Sequence, residues 1–184
     1  DGGLKWAKKL EGAYIPQPAL RRYDPNAAPC LAINEGRFFV AGQGSDWIIQ
    51  RHILREYDAK LAGPSLRDLI DPVQPEDLRY SVREVLREWW EPMLRDPAWI
   101  RTGEYQAFAV LSMCRALYTL QQGAVASKPV SARWAQQTLG EHWTNLIEWA
   151  LTWEPDTPLD NLSETLEFIR YTVEHSDAQP ATGS

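Results

Sequence analysis

The chain has 184 residues, 44% hydrophobic and 24% charged, enough to bury a core in one domain, or in one domain plus a remnant of another. Its net charge of -6 and pI near 5.1 argue against a nucleic-acid partner held by phosphate neutralisation. Cys30 and Cys114 are far apart and lack metal-ligand spacing, no apolar run reaches membrane-spanning length, and nothing at the N-terminus reads as a signal peptide, so a reduced, cytoplasmic protein without membrane partner or disulfide framework is expected. The absence of an initial methionine predicts a truncated or processed protein.

Residues 4–16, LKWAKKLEGAYIP, read as a short strand stopped by Pro16, with Glu11 inside it. A buried carboxylate is costly, so an edge strand with Glu11 in water is the plain reading. Residues 16–37, with Pro16, Pro18, Pro25 and Pro29, predict an irregular connection, and Arg37 to Val40 a second short strand. Gly42 and Gly44 lead into a first helix from Asp46 to Tyr57, with Ser45 or Asp46 suited to its cap. Gly63-Pro64 breaks the chain, and Leu66 to Val73 is a short segment closing on Pro72. A helix then starts at Pro75-Glu76-Asp77, acidic where the helix dipole favours it, with Leu78, Val82, Val85, Leu86, Trp89 and Trp90 on one broad face. Pro92 bends or ends it, Asp96-Pro97 turns the chain, and Trp99 to Tyr105, containing Glu104, leads onward.

The next helix, Ala107 to Gln121, is the most apolar in the chain. Ala107, Val110, Cys114 and Leu117 recur at helical spacing, and Phe108, Leu111 and Tyr118 widen the stripe. Arg115 falls on its flank, beside Ser112 and Thr119. Gly123 ends this helix, and Ser127-Lys128-Pro129 opens another, with Ser127 as N-cap and Pro129 in the first turn. The turn thus brings two cations together at a helix mouth, a chemistry suited to phosphate. The plainer alternative pairs Arg115 with Glu104 or Glu141 and leaves Lys128 solvated. Helices from Val130 to Leu139 and from His142 to Trp153 follow, the second with Trp143, Leu146, Ile147, Ala150 and Leu151 as its stripe. A linker at 154–158, a last amphipathic helix from Leu159 to His175 and a structureless tail at 176–184 complete the chain. A mainly α fold is expected, a bundle of five or six helices preceded by a short strand-containing segment, with divisions at 1–40, 41–175 and 176–184.

The stretch AVLSMCRALYTLQQGAVASKPVSARWA, from Ala109 to Ala135, closely resembles the C-terminal helical domain of the streptomycin/spectinomycin aminoglycoside adenylyltransferases and their nucleotidyltransferase-like relatives. LREYDAKLAGP (54–64), LIDPV (69–73), His142-Trp143 and Leu146-Ile147 extend the resemblance over roughly residues 4–153. It implies that 1–40 is the end of an α/β nucleotidyltransferase domain plus its connection. For the intact protein it implies transfer of AMP from ATP, with Mg²⁺, to a hydroxyl of an aminoglycoside-like small molecule, a resistance activity. Arg115 and Lys128 would hold the ATP phosphates, Glu11 would act as general base on the acceptor hydroxyl, and Asp46 and Glu104 would meet the drug. The family's Asp-x-Asp metal pair occurs nowhere in the chain, which is expected to be inactive alone. Two other classes are a non-catalytic helical binding or interaction domain, and a helical toxin-type ribonuclease suggested by the spacing of Arg170 and His175. The acidic pI opposes the second.

Overall fold

The computed structural model describes residues 10–155 and 161–177. Expectations for residues 4–9, for the Asp156-Thr157-Pro158 part of the linker, for a helix start at Leu159 and for the tail from 178 onward lie outside that range. The chain forms two compact units, Asp1–Val73 and Gln74–Ser184. Among the described residues, no helix is long and apolar enough to cross a membrane.

The N-terminal unit carries β1 (Gly12–Tyr14), α1 (Gln17–Leu20), β2 (Cys30–Asn34), β3 (Arg37–Ala41), α2 (Asp46–Tyr57) and α3 (Leu66–Leu69). The strands form one antiparallel sheet in the order β1-β2-β3, with Gly12 opposite Ile33 and Cys30 opposite Ala41. Glu11 is exposed and immediately precedes the edge strand β1, so water solvates its carboxylate without cost to the fold. The expectation of an irregular connection over 16–37 needs correction: α1 and β2 both lie within it. Pro18 sits in the first turn of α1, where its missing N–H breaks no helical bond. The connection from β2 to β3 is a two-residue hairpin in which both Glu35 (φ 50) and Gly36 (φ 77) are left-handed. Arg51, buried on α2, donates to the carbonyls of Ala19 (2.8 Å), Leu20 (3.1 Å) and Trp47 (3.2 Å), and so ties α1 to α2.

The C-terminal unit is a helical bundle of α4 (Pro75–Val85), α5 (Glu91–Met93), α6 (Gly103–Gln122), α7 (Lys128–Thr138), α8 (Thr144–Thr152) and α9 (Leu162–Glu174). Helix α6 is its axis, and α4, α7, α8 and α9 all pack on it. Ala107, Val110, Cys114 and Leu117 are buried as their spacing predicts, and each large apolar side chain withdrawn from water contributes roughly 1.5–3 kcal/mol. Phe108 differs: it lies outside the buried stripe and is 40% exposed. Trp89 also leaves the predicted core face and is 53% exposed, whereas Trp90 is buried. Both tryptophans lie in a π turn, Leu86–Trp90, that follows α4 just ahead of Pro92, which has no N–H to continue the ladder.

Helix α6 begins earlier than the periodicity alone indicates, with Thr102 as N-cap, so Glu104 belongs to the helix's first turn and not to a lead-in. The predicted helix from His142 splits into a 3₁₀ turn, Glu141–Trp143, and α8. Gly123 ends α6 in the left-handed conformation (φ 64), with its N–H bonded to the Thr119 carbonyl at 2.8 Å. Arg79 on α4 donates from Nε to the Leu120 carbonyl at 2.9 Å, satisfying another C-terminal acceptor of α6.

Candidate functional site

The loop from Gly123 to Ser127 is short, so α7 runs back along α6. Ser131, Ala132 and Ala135 line the buried side of α7 with small side chains. Lys128 is the first residue of α7 and precedes that line by one turn. On α6, Phe108, Ser112 and Arg115 follow one another at helical spacing along one flank, and the Ser112 hydroxyl donates to the Phe108 carbonyl at 2.7 Å.

Arg115 and Lys128 are both half-buried. Burial lowers the pKa of the Arg115 guanidinium from its ordinary value. Lys128 is lowered first by burial and then by the neighbouring charge of Arg115. Among the described residues, no carboxylate pairs with either cation, and Glu104 and Glu141 are both exposed. The plainer reading, in which Arg115 is neutralised locally, is therefore not what the described residues form. Lys128 Nζ instead lies over the Phe108 ring, 4.0 Å from its centroid. Ser127 caps α7 geometrically, but its side chain makes no capping hydrogen bond. The backbone N–H groups of Lys128 and Val130 thus open the helix without an acceptor from Ser127, Pro129 having no N–H. Two cations without a carboxylate partner among the described residues, beside a helix N-terminus, have the chemistry that suits an anion.

The remaining candidates are distributed. Glu11 and Asp46 belong to the N-terminal unit, where Asp46 is exposed as the first residue of α2. Glu104 shares α6 with Arg115, but eleven residues of helical rise put roughly 16 Å between their backbones. Arg170 is exposed, and His175 bonds through Nδ1 to the Tyr171 carbonyl (2.7 Å) while stacking on the Tyr171 ring, a helix-end arrangement. Sequence reasoning missed Phe108, which its apolar character assigned to the core. The available signal was its position two turns before Arg115 on the same flank. A cluster of rings adjoins Phe108: Trp90 stacks on it at 6.2 Å and Trp99 meets it edge-on at 5.9 Å, while Tyr105 lies tilted against Trp99 at 4.3 Å.

Among the described residues, no three His, Cys, Asp or Glu side chains come together to hold a metal ion.

The C-terminal unit is a helical bundle whose axial helix carries Arg115 near Lys128 at the mouth of the next helix, with no carboxylate paired to either among the described residues. This chain belongs to the aminoglycoside adenylyltransferase C-terminal domain family, whose model matches residues 68–178. It is 31% identical over 121 residues to the aminoglycoside (3'') (9) adenylyltransferase of Escherichia coli, covering 64% of this chain and 43% of that protein. The corresponding enzyme of Klebsiella pneumoniae is 30% identical over 120 residues, with the same coverage of 64% and 43%. The chain thus spans less than half the length of these relatives. The crystal structure of a spectinomycin adenyltransferase from Enterococcus faecialis with ATP and spectinomycin superimposes with a TM-score of 0.67, covering 90% of this chain and 67% of that one. At 13% identity, that likeness is one of fold.

Proposed function

We propose that this chain supplies the phosphate-holding helical part of an adenylyltransferase that moves AMP from ATP to a hydroxyl of an aminoglycoside-like small molecule. The observation that carries the reading is the half-buried pair of Arg115 and Lys128, unneutralised by any described carboxylate, in a chain of this family. A pair of this kind costs stability unless an anion completes it. The ATP phosphates would do so: the Arg115 guanidinium offers a planar fork of donors, Lys128 a compact charge, and the first turn of α7 its open N–H groups. Charge that builds on the phosphate oxygens as the bond to the leaving pyrophosphate stretches would be stabilised by the same two cations.

Glu11 is the candidate base for the acceptor hydroxyl, and its exposure leaves the carboxylate accessible to a bound molecule. Asp46 and Glu104 are candidate partners for the ammonium groups of an aminoglycoside, both being exposed carboxylates. Because the Asp-x-Asp pair is missing, the chain alone is expected to transfer no AMP. Residues 1–40 then read as the end of a nucleotidyltransferase domain with its connection, and 41–175 as the helical domain.

The test is calorimetric titration of ATP with Mg²⁺, with and without spectinomycin or streptomycin. It is run on this chain and on a longer protein carrying an Asp-x-Asp nucleotidyltransferase domain upstream. The longer protein should bind nucleotide and drug, and R115A and K128A should each weaken its ATP affinity about tenfold while the thermal unfolding profile stays cooperative. Unchanged nucleotide affinity in both variants would sink the assignment.

A further inference from the structure

Burying an ammonium group ordinarily requires a counter-ion, and a carboxylate is the usual one. At Lys128 that position is taken by a ring. The ammonium nitrogen lies 4.0 Å from the Phe108 centroid, the distance at which a cation is drawn to the negative face of a benzene ring. The ring is held on other sides by Trp90, stacked at 6.2 Å, and by Trp99, edge-on at 5.9 Å, so its orientation is set by packing and not by the lysine. Phe108 and Arg115 lie on the same flank of α6, two turns or roughly 10 Å of rise apart. Arg115 repels the lysine, and Phe108 attracts it.

We infer that Phe108 is a positioning residue of the phosphate site: its ring face holds the Lys128 ammonium at the mouth of α7 beside Arg115 without neutralising it. The inference rests on the phosphate reading above. A carboxylate in that place would hold the lysine more firmly, but would consume the charge that the site presents to an anion. A quadrupole attracts the cation and leaves its net charge intact. Phe108 touches no reacting atom in this scheme and acts through Lys128. Its partial exposure, unexplained by core packing, follows from standing at the edge of the site with one face given to the lysine.

The experiment uses this chain and inorganic tripolyphosphate as the probe, with affinity read by calorimetry for wild type, F108L, F108Y, F108E and K128M, and for F108L combined with K128M. The wild-type chain should bind the probe, F108L about fivefold more weakly, and F108Y within a factor of about two of wild type, because tyrosine restores the ring. F108E should bind at least tenfold more weakly, since a carboxylate there cancels the lysine. In the K128M background F108L should cause no further loss, a result that a merely structural role of Phe108 would not produce. Equal affinity of F108L and wild type overturns the role of Phe108 while the phosphate site stands, as does a full fivefold loss that persists without Lys128. If the wild-type chain takes up no tripolyphosphate, the phosphate site falls and the role of Phe108 falls with it.

Discussion

Lys128 shows most directly how a site can work against the stability of the fold that carries it. Burial and the charge of Arg115 both disfavour its protonated form, so its folded-state pKa lies below that of the unfolded chain. In the pH window between those two values the unfolded state binds more protons, and stability rises with pH; below the folded value the whole penalty applies. K128M should therefore raise stability at pH 7 by about 0.5–1 kcal/mol in urea denaturation, with anion affinity falling. Its advantage should shrink as the pH climbs through the alkaline range toward the unfolded lysine value. An advantage that stayed constant with pH would show that lost packing, and not charge, accounts for the difference. Cys114 shows burial acting on an acid: its thiol is pushed up to about 12, too high for a thiolate nucleophile at physiological pH. The positions of Arg115 and Lys128 were legible from spacing and from the turn between them. That they lack a described carboxylate was not, because which acidic side chains end up near them depends on how the helices pack and not on spacing along the chain.

At the scale of elements, the α6–α7 turn is the most sensitive point. Gly123 has φ 64, and a Cβ there would lie 2.7 Å from the Pro75 Cβ and 2.8 Å from Nη2 of Arg79. G123A should cost about 2 kcal/mol, because the left-handed conformation disfavours a side chain and Arg79 must release the Leu120 carbonyl to make room. A urea midpoint equal to wild type would show that the turn relaxes without strain. Sequence periodicity located α6 and α7 well, because their buried stripes repeat every three or four residues and Gly123 supplies a stop signal. It failed for β2 and for the π turn. The strand CLAIN is five residues with little alternation, and its hairpin turns at Glu35-Gly36, a pair less diagnostic than Asn-Gly. The π turn follows from how Pro92 disrupts a continuous helix, and apolar patterning does not carry that information.

Each of the two units has its own character. In the N-terminal one, Tyr14, Phe38 and Val40 are all more than half exposed on a sheet whose outer strands β1 and β3 have no further described strand beside them. Open edges with apolar side chains favour association, so sedimentation velocity of this chain should show concentration-dependent self-association that F38K reduces. Identical monomeric boundaries for both chains across the concentration range would remove that reading. The C-terminal unit is closed around α6, whose buried positions Ala107, Val110, Cys114 and Leu117 were read from the sequence, whereas Phe108, Trp89 and the face of α9 that carries Thr165, Phe168 and Thr172 were not. By itself the sequence determined the helical class, the axial helix, its stop, the pair of cations and the resemblance to the family, because burial, capping and turn chemistry act between neighbours along the chain and leave a periodic record. Only the tertiary structure decided that the cations stay unneutralised by the described carboxylates and that Lys128 rests on Phe108. Charge partners are chosen by distance in space, and twenty residues of sequence hold no record of which ring or carboxylate will arrive within 4 Å.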